Sequence, residues 1–284
     1  MLAESLDYLA ILPEGFYVDT TCGLGGHTRA IAARLTTGRI LSLDADAESL
    51  ERAKALSVEH ADRITFRKAR FSELDRAVAE WGAPRIHGLI SDLGLNRWQL
   101  TSQERGFSFL SDAVADMRMD RSTGFTAADL VNQSSEQELC DLIFHLAEER
   151  RHARKIAKAL VSARPLVTTR QIADVVASVV PRTGKLHPST RVLQGLRMAV
   201  NAEPAELDRL LELGPEVLAP GGRWVVIAFH SLDDRKVKRC FQHLARTGKV
   251  KILTKHVVKP TTEETRKNPP SRSAVLRCCE RLAG

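Results

Sequence analysis

The residues best suited to chemistry lie in a glycine-rich stretch, Val18–His27, where three glycines follow a short apolar run. Glycine has no Cβ atom, so the backbone of such a turn can approach a ligand closely. The helix predicted directly after the turn would favour a carboxylate or phosphate at its amino end. The third glycine of a nicotinamide-type fingerprint is absent because Thr28 occupies that position, and the Gly-Lys-Ser/Thr of a P-loop is absent too. A tight strand-to-helix connection without a ligand is the alternative interpretation.

Two carboxylates follow predicted strands farther along the chain. Asp44 lies 19 residues after Gly25, where Rossmann-like folds place the acid that binds the ribose hydroxyls of an adenosine. Asp44 could instead cap a helix, although Asp46 is better placed for that role. Phe71 follows the third predicted strand, and Asp92 lies at the carboxyl end of the fourth. In a nucleotide site Phe71 would pack against the adenine; otherwise it belongs to the core.

The elements that must position these residues alternate between strand and helix over the first 95 residues. Such alternation is typical of a parallel doubly wound sheet, which binds ligands over the carboxyl ends of its strands. Strands are predicted at Phe16–Val18, Arg39–Asp44, Ile64–Phe66, Ile86–Gly94, Arg223–Phe229, Lys251–Val258 and Ser273–Cys279. Ser72 is the expected N-cap of a helix over residues 72–81. We therefore expect an α/β protein with a Rossmann-like, seven-stranded and mostly parallel sheet.

Residues 104–203 contain little that resembles a strand. Helices are predicted there at residues 127–131, 135–145, 151–163, 169–179 and 188–200. Ser134 or Ser135 is the expected N-cap of the second of these helices, and Thr168 or Thr169 that of the fourth. The pattern predicts an all-helical domain inserted into the sheet domain, which would consist of residues 1–103 and 204–284.

The net charge of +7 is unevenly distributed. Residues 1–147 hold 15 Lys and Arg against 22 Asp and Glu, residues 148–197 hold 11 against 3, and residues 235–284 hold 14 against 3. Two basic blocks indicate a polyanionic partner, most simply nucleic acid, although solvated faces are the alternative. The candidate phosphate-binding residues are Arg150, Arg151, Arg154, Lys155, Lys158, Arg191, Arg235 and Lys236. The first five are predicted to occupy successive turns of one helix.

The cysteine pattern, the first residues and the length of the apolar runs indicate the cellular compartment of the protein. The five cysteines are odd in number and form no Cys-x-x-Cys motif, which argues against a disulfide framework or a zinc site. The first residues include acids where a signal peptide needs bases, and no apolar run is long enough to span a bilayer. We expect a cytoplasmic protein with neither a metal nor a membrane partner.

Several longer strings together resemble the bacterial RsmH (MraW) family of class I methyltransferases. They are Asp19–Thr28, Ser91–Leu95, Glu104–Phe109, Asp116–Asp120, His187–Arg191, Phe229–Lys238 and Asn268–Ser273. Members of that family methylate the exocyclic N4 of a cytidine in the decoding region of small-subunit ribosomal RNA. The resemblance implies S-adenosylmethionine as the cofactor, and ribosomal RNA or an assembling small subunit as the partner.

The resemblance also assigns cofactor-binding positions. They are Gly25, Gly26, His27, Asp44, Phe71, Asp92 and Gln99. The sequence departs from the family pattern just before the last of these, where Asn96–Trp98 replaces the usual pair of small hydroxyl residues and a proline.

Methylation of an exocyclic amine needs a hydrogen-bond acceptor, because the lone pair of cytosine N4 is delocalised into the ring. Asp92 is the candidate acceptor, and cofactor binding alone is its alternative role. His230 is the second catalytic candidate and is expected in a loop, His230–Arg235, at the pocket edge. A hydrolase triad is excluded there by the lack of a Gly-x-Ser-x-Gly elbow. A methyltransferase for small molecules or proteins, and a non-catalytic RNA-binding factor with this fold, are the competing hypotheses.

Overall fold

A computed structural model describes residues 1–110, 112–122, 124–182 and 187–283. The chain divides into two compact units, one formed by Met1–Leu95 with Ala205–Gly284 and the other by Asn96–Pro204. The second unit therefore begins at Asn96 rather than at residue 104, and ends at Pro204 rather than at residue 203.

The first unit contains a seven-stranded sheet. Its strands are β1 (Phe16–Asp19), β2 (Arg39–Asp44), β3 (Ile64–Lys68), β4 (Ile86–Asp92), β5 (Leu218–Ala228), β6 (Val250–Ile252) and β7 (Val275–Arg281). Their order in the sheet is β3-β2-β1-β4-β5-β7-β6. Only β7 runs against its neighbours. The sheet is Rossmann-like, seven-stranded and mostly parallel, as the sequence predicts.

Helices connect the strands and form most of the second unit. They are α1 (Leu2–Leu9), α2 (Gly26–Ala32), α3 (Ala47–Leu56), α4 (Leu74–Trp81), α5 (Arg97–Thr101), α6 (Ala127–Gln133), α7 (Glu136–His145), α8 (Ala153–Ser162), α9 (Thr169–Val179), α10 (Ser189–Val200), α11 (Glu203–Val217), α12 (Ser231–Arg246) and α13 (Thr262–Lys267). Short 3₁₀ turns occur at Val58–His60, Phe71–Glu73, Gln103–Arg105 and Pro269–Ser273. Within the described residues, no helix is long and apolar enough to cross a membrane.

Alternate residues of the strands pack into two apolar clusters, one on each face of the sheet. Helices α1 and α2 cover one face, and α4, α11 and α12 cover the other. The fully buried Trp224 of β5 packs on Phe241 of α12, with ring centroids 5.3 Å apart. Cys278 and Cys279 lie on opposite faces, as strand alternation predicts.

Several predicted boundaries in the first unit are wrong; β4 ends at Asp92 rather than at residue 94, and β7 spans Val275–Arg281 rather than residues 273–279. Ser72 is not an N-cap, because its N–H and hydroxyl donate to the Glu206 carboxylate at 2.9 and 3.0 Å, and α4 begins only at Leu74. Strand β5 begins at Leu218 instead of residue 223. Leu218 pairs with Ile86 of β4. Strand β6 ends at residue 252, after which only an isolated bridge at Val258 contacts β7.

The second unit has its own apolar core, built mainly from α6 to α10. Capping boxes start three of these helices: Thr126 with Asp129, Ser135 with Glu138, and Thr168 with Gln171. The last two are the caps that the sequence predicts. The short helix α5 was not predicted.

Candidate functional site

Three carboxylates lie at one edge of the sheet. Asp19, Asp44 and Asp92 are the last residues of β1, β2 and β4, which are neighbours with β1 in the middle. Because the strands are parallel, their carboxyl ends meet at this edge, which is the ligand-binding edge of such folds. The structure therefore brings together Asp44 and Asp92, the two acids that the sequence singles out, with Asp19 between them.

The glycine turn between β1 and α2 adopts backbone conformations that favour glycine. Gly23 and Gly25 have φ angles of 51° and 75°. The turn is closed by a hydrogen bond from Gly25 N–H to Cys22 O, 2.7 Å long. A Cβ atom at Gly26 would meet nothing within 4 Å. The first residue of α2 thus borders open space in the first unit.

Asp44 holds this turn to the end of β2. One carboxylate oxygen accepts from Gly23 N–H at 2.7 Å, and the other accepts from Asp46 N–H at 2.9 Å. Burial raises the pKa of the Asp44 carboxyl to about 7, against the lowering effect of these two hydrogen bonds. Each oxygen keeps a lone pair, so the half-buried side chain can still accept a hydrogen bond from a ligand. Asp46 caps α3, as predicted, by accepting from Glu48 N–H.

Asp92 and His27 face each other across the same edge. The closest approach is 3.8 Å between Asp92 Oδ2 and His27 Nδ1, which is too long for a hydrogen bond. Asp92 Oδ1 and His27 Nε2 are buried and have no hydrogen-bond partner among the residues that the structure describes. Burial raises the pKa of Asp92 to about 6 and lowers the pKa of His27, which is therefore neutral at pH 7. Buried polar atoms are normally paired, so these two atoms are suited to hydrogen-bond a ligand.

Two threonines that the sequence analysis did not single out support these acids. The backbone N–H of Asp92 donates to Thr21 Oγ1 at 2.6 Å, and Thr21 N–H donates to Asp19 Oδ1 at 3.0 Å. Thr28 Oγ1 donates to Asp19 Oδ2 at 2.8 Å and lies 2.9 Å from Ser42 Oγ. The fully buried Asp19 therefore joins β1, β2 and α2, and burial raises its pKa. For Thr21 the available signal was a hydroxyl residue two positions after Asp19, whereas Thr28 lies nine positions after it.

His230 lies next to the same edge. Ile227 of β5 pairs with Asp92, and His230 follows three residues later at the N-cap position of α12. The prediction of a loop at His230–Arg235 is wrong, since α12 already begins at Ser231. Phe71 starts the 3₁₀ turn that follows β3, and it packs half-buried against the cluster under α4.

Comparison with known proteins decides the family. A sequence model of the MraW methylase family matches residues 1–282. The chain belongs to the MraW methylase family. The resemblance read from the sequence strings is confirmed.

Relatives of this MraW family member share most of its length. The ribosomal RNA small subunit methyltransferase H of Solibacter usitatus is 53% identical over 280 residues, which cover 99% of this chain and 98% of that protein. The protein of the same name from Acaryochloris marina is 43% identical, over 98% of this chain and 92% of that protein. The solved structure of an rRNA methylase from Streptococcus thermophilus aligns with 99% of this chain and 95% of that chain, at 13% identity and a TM-score of 0.48.

Gln99 falls in the second unit of this MraW family member. It is 3% exposed, and its Oε1 accepts from Asn96 N–H at 3.0 Å while Asn96 Oδ1 accepts from Gln99 N–H at 3.0 Å. The departure from the family pattern thus forms a capping box that starts α5. A cofactor contact of Gln99 stays a prediction.

The basic cluster of the second unit is less helical than predicted. Helix α8 begins at Ala153, so Arg150 and Arg151 precede it and their predicted placement on this helix is wrong. The Arg150 guanidinium lies 5.6 Å from the centre of the Phe144 ring. All five residues of the cluster are exposed, and no carboxylate among the described residues forms an ion pair with them.

The other basic candidates differ in how they are paired. Arg191 of α10 and Arg235 of α12 are exposed. Lys236 instead donates to both carboxylate oxygens of Asp208, at 2.7 Å each. Its charge is therefore already compensated. Among the described residues, no group of three or more His, Cys, Asp or Glu side chains is arranged to bind a metal ion.

Proposed function

We propose that the chain is an S-adenosylmethionine-dependent methyltransferase that modifies the exocyclic N4 of a cytidine in the decoding region of small-subunit ribosomal RNA. Family membership and the names of the relatives support the reaction and the RNA. The observation that carries the proposal is the pair of buried polar atoms without partners, Asp92 Oδ1 and His27 Nε2, at the edge where a class I sheet binds its ligand.

The residues at this edge fit S-adenosylmethionine. The Asp44 carboxylate keeps acceptor capacity for the two ribose hydroxyls. The turn at Gly25 and Gly26 offers backbone without side chains, and open space borders Gly26. Phe71 supplies an aromatic face for the adenine, and His27 and Asp92 supply the buried polar atoms that lack partners. When bound, this cofactor supplies a methyl group activated by a sulfonium.

Asp92 then acts on the amino group that receives the methyl. With a pKa of about 6, its carboxyl is mostly ionised at pH 7 and accepts a hydrogen bond from the amine. This contact favours a pyramidal nitrogen, whose lone pair is no longer delocalised into the ring. Transfer would replace a C–S bond of the cofactor by the new N–C bond, and the proton released from the amine would pass to Asp92 and then to water. Holding the acceptor in line supplies much of the rate.

The target base must leave its stack to reach such an edge. The exposed cations of both units would bind the surrounding phosphates and hold the RNA without reading its sequence. Naked ribosomal RNA and an assembling small subunit are both compatible substrates. A cytoplasmic location follows from this proposal, because ribosomes are assembled there in bacteria.

The proposal is tested by mass spectrometry of nucleosides from small-subunit ribosomal RNA. RNA from cells with the gene, without it, and without it but complemented by the Asp92→Asn variant is compared. We expect N4-methylcytidine to diminish by one residue per RNA in the last two samples. An unchanged nucleoside profile would refute the RNA substrate and favour a methyltransferase for small molecules or proteins. A purified chain that fails to bind S-adenosylmethionine in calorimetry would favour a non-catalytic assembly factor.

A further inference from the structure

Helix α12 in the first unit carries a line of exposed basic residues. Its buried residues are Val237, Phe241 and Leu244, which pack against the sheet at helical spacing. On the opposite side lie Arg235, Lys238, Arg239, Gln242 and Arg246, spaced by three, four, seven and eleven residues from the first. All five side chains are exposed. We call this line the basic stripe.

The cations of the basic stripe differ from Lys236 of the same helix in their lack of an ion-pair partner within the part of the chain that the structure describes. Among the described residues, no carboxylate forms an ion pair with Arg235, Lys238 or Arg239. By contrast, Lys236, on the flank of the helix, is bound by Asp208. Asp234 lies toward the sheet, where Arg277 donates to both its oxygens at 2.6 and 3.0 Å. Asp234 therefore does not neutralise the stripe.

The position of these cations is unfavourable for the helix itself. Arg235 lies three residues before Lys238 and four before Arg239, spacings at which like charges repel. Cations stabilise the carboxyl end of a helix, which accounts for Arg246 but not for Arg235 in the amino-terminal half. A partner that supplies negative charge would relieve this repulsion.

The stripe begins about one helical turn beyond the candidate catalytic edge. Ile227 of β5 pairs with Asp92, and α12 starts four residues later at Ser231. From Arg235 to Arg246 the helix advances by about 16 Å, since each residue adds about 1.5 Å. The stripe therefore leads away from the point where the target base would enter.

We propose that the basic stripe of α12 binds the phosphates of the RNA strand that flanks the target nucleotide. This inference rests on the proposed function and adds the surface that the RNA occupies on the first unit. It also separates Arg235 from Lys236: the first binds phosphate, and the second stabilises the contact between α12 and α11.

The test compares two triple variants of the full chain. In the stripe variant, Arg235, Lys238 and Arg239 become Gln. In the matched control, the ion-paired cations Lys54, Arg209 and Lys249 become Gln, so the same formal charge is lost. Binding of a fluorescein-labelled, single-stranded RNA oligonucleotide is measured by anisotropy over a series of KCl concentrations. S-Adenosylmethionine affinity is measured by calorimetry, and methyl transfer to unmethylated small subunits is measured for each protein.

For three lost phosphate contacts we expect the slope of log Kd against log salt to fall by about 2 for the stripe variant. The matched control should keep the wild-type slope, and all three proteins should bind the cofactor equally. Equal slopes for the two triple variants would overturn the inference, and so would wild-type RNA binding without salt dependence. If the salt slopes of the two triple variants are equal while the wild type methylates small subunits, only the role of the stripe in RNA binding is refuted. A wild type that binds cofactor but transfers no methyl to RNA would refute the proposed function as well.

Discussion

The backbone N–H of Asp92 donates to the hydroxyl of Thr21 at 2.6 Å, across a separation of 71 residues in the chain. This hydrogen bond ties the end of β4 to the glycine turn that follows β1. It fixes the backbone that carries the candidate proton acceptor. The position of the Asp92 carboxylate therefore depends on a side chain of the neighbouring strand connection.

Replacing Thr21 by Val should lower the methyl-transfer rate more than it lowers cofactor affinity. The buried Asp92 N–H would lose its acceptor, at a cost of about 1–3 kcal/mol. The Thr21→Ser variant should restore the rate because it keeps the hydroxyl. Thr20→Val is the matched control, since Thr20 donates to Ile90 O and Ser91 Oγ instead. Single-turnover transfer and thermal unfolding are measured for each; equal rate losses in Thr20→Val and Thr21→Val would mean that Thr21 only stabilises the fold.

Replacing Asp44 by Ala should weaken the binding of S-adenosylmethionine. Hydrogen bonds to charged groups contribute about 1.5–3 kcal/mol, so one lost contact reduces affinity by roughly 10- to 150-fold. Titration calorimetry measures the effect. Asp62→Ala is a suitable control, because that exposed carboxylate pairs only with Arg63 beside it among the described residues. Unchanged affinity in Asp44→Ala would show that Asp44 serves only to hold Gly23 and Asp46.

Replacing Asp92 by Asn should stabilise the chain at pH 8 while abolishing transfer. The carboxyl has a pKa of about 6 in the folded chain against an ordinary value of 3.8, so the folded state retains the proton more strongly than the unfolded state. The free energy of unfolding therefore falls as pH rises from about 4 to about 6, and stays lowered above that. The free energy of unfolding of the variant does not fall in this way. We expect it to exceed that of the wild type by about 1–2 kcal/mol at pH 8, after discounting for a side chain that is 31% exposed.

Urea unfolding at several pH values measures this difference. Near pH 4 the gain should vanish, because the wild-type carboxyl is then protonated. A variant that is less stable than wild type at pH 8 would contradict the buried, uncompensated state of Asp92.

Neutralising the basic residues of α8 should flatten the salt dependence of RNA binding. Arg154, Lys155 and Lys158 become Gln, and cofactor affinity should be unchanged because the sheet is untouched. The target nucleotide should also stay the same, since phosphate contacts carry little sequence information. The RNA-binding salt series is the measurement. A slope parallel to that of the wild type would mean that α8 does not contact phosphate.

Sequence patterns predicted the parts of the molecule that local chemistry determines. The alternating strands, the glycine turn before α2 and the Asp46 cap need only neighbouring residues. The capping boxes at Ser135 and Thr168 are likewise complete within four residues. These features can therefore be predicted from short segments of the sequence.

What the sequence did not reveal depends on distant partners. Ser72 binds Glu206, 134 residues away, instead of capping a helix. The hydrogen bond between Thr21 and Asp92 requires that β1 and β4 be adjacent, which strand patterns alone do not specify. The compensation of Lys236 but not of Arg235 depends on where α11 lies. No local pattern distinguishes these cases.

The most direct test of the central claim is transfer of a deuterium-labelled methyl group from S-adenosylmethionine to unmethylated small subunits. The purified wild-type chain and Asp92→Asn are compared after digestion to nucleosides and fragmentation in a mass spectrometer. We predict that the wild type places the label on the base of one cytidine, at its exocyclic nitrogen, and that Asp92→Asn transfers none. Label on the ribose or on a ring carbon, or equal labelling by both proteins, would contradict the account.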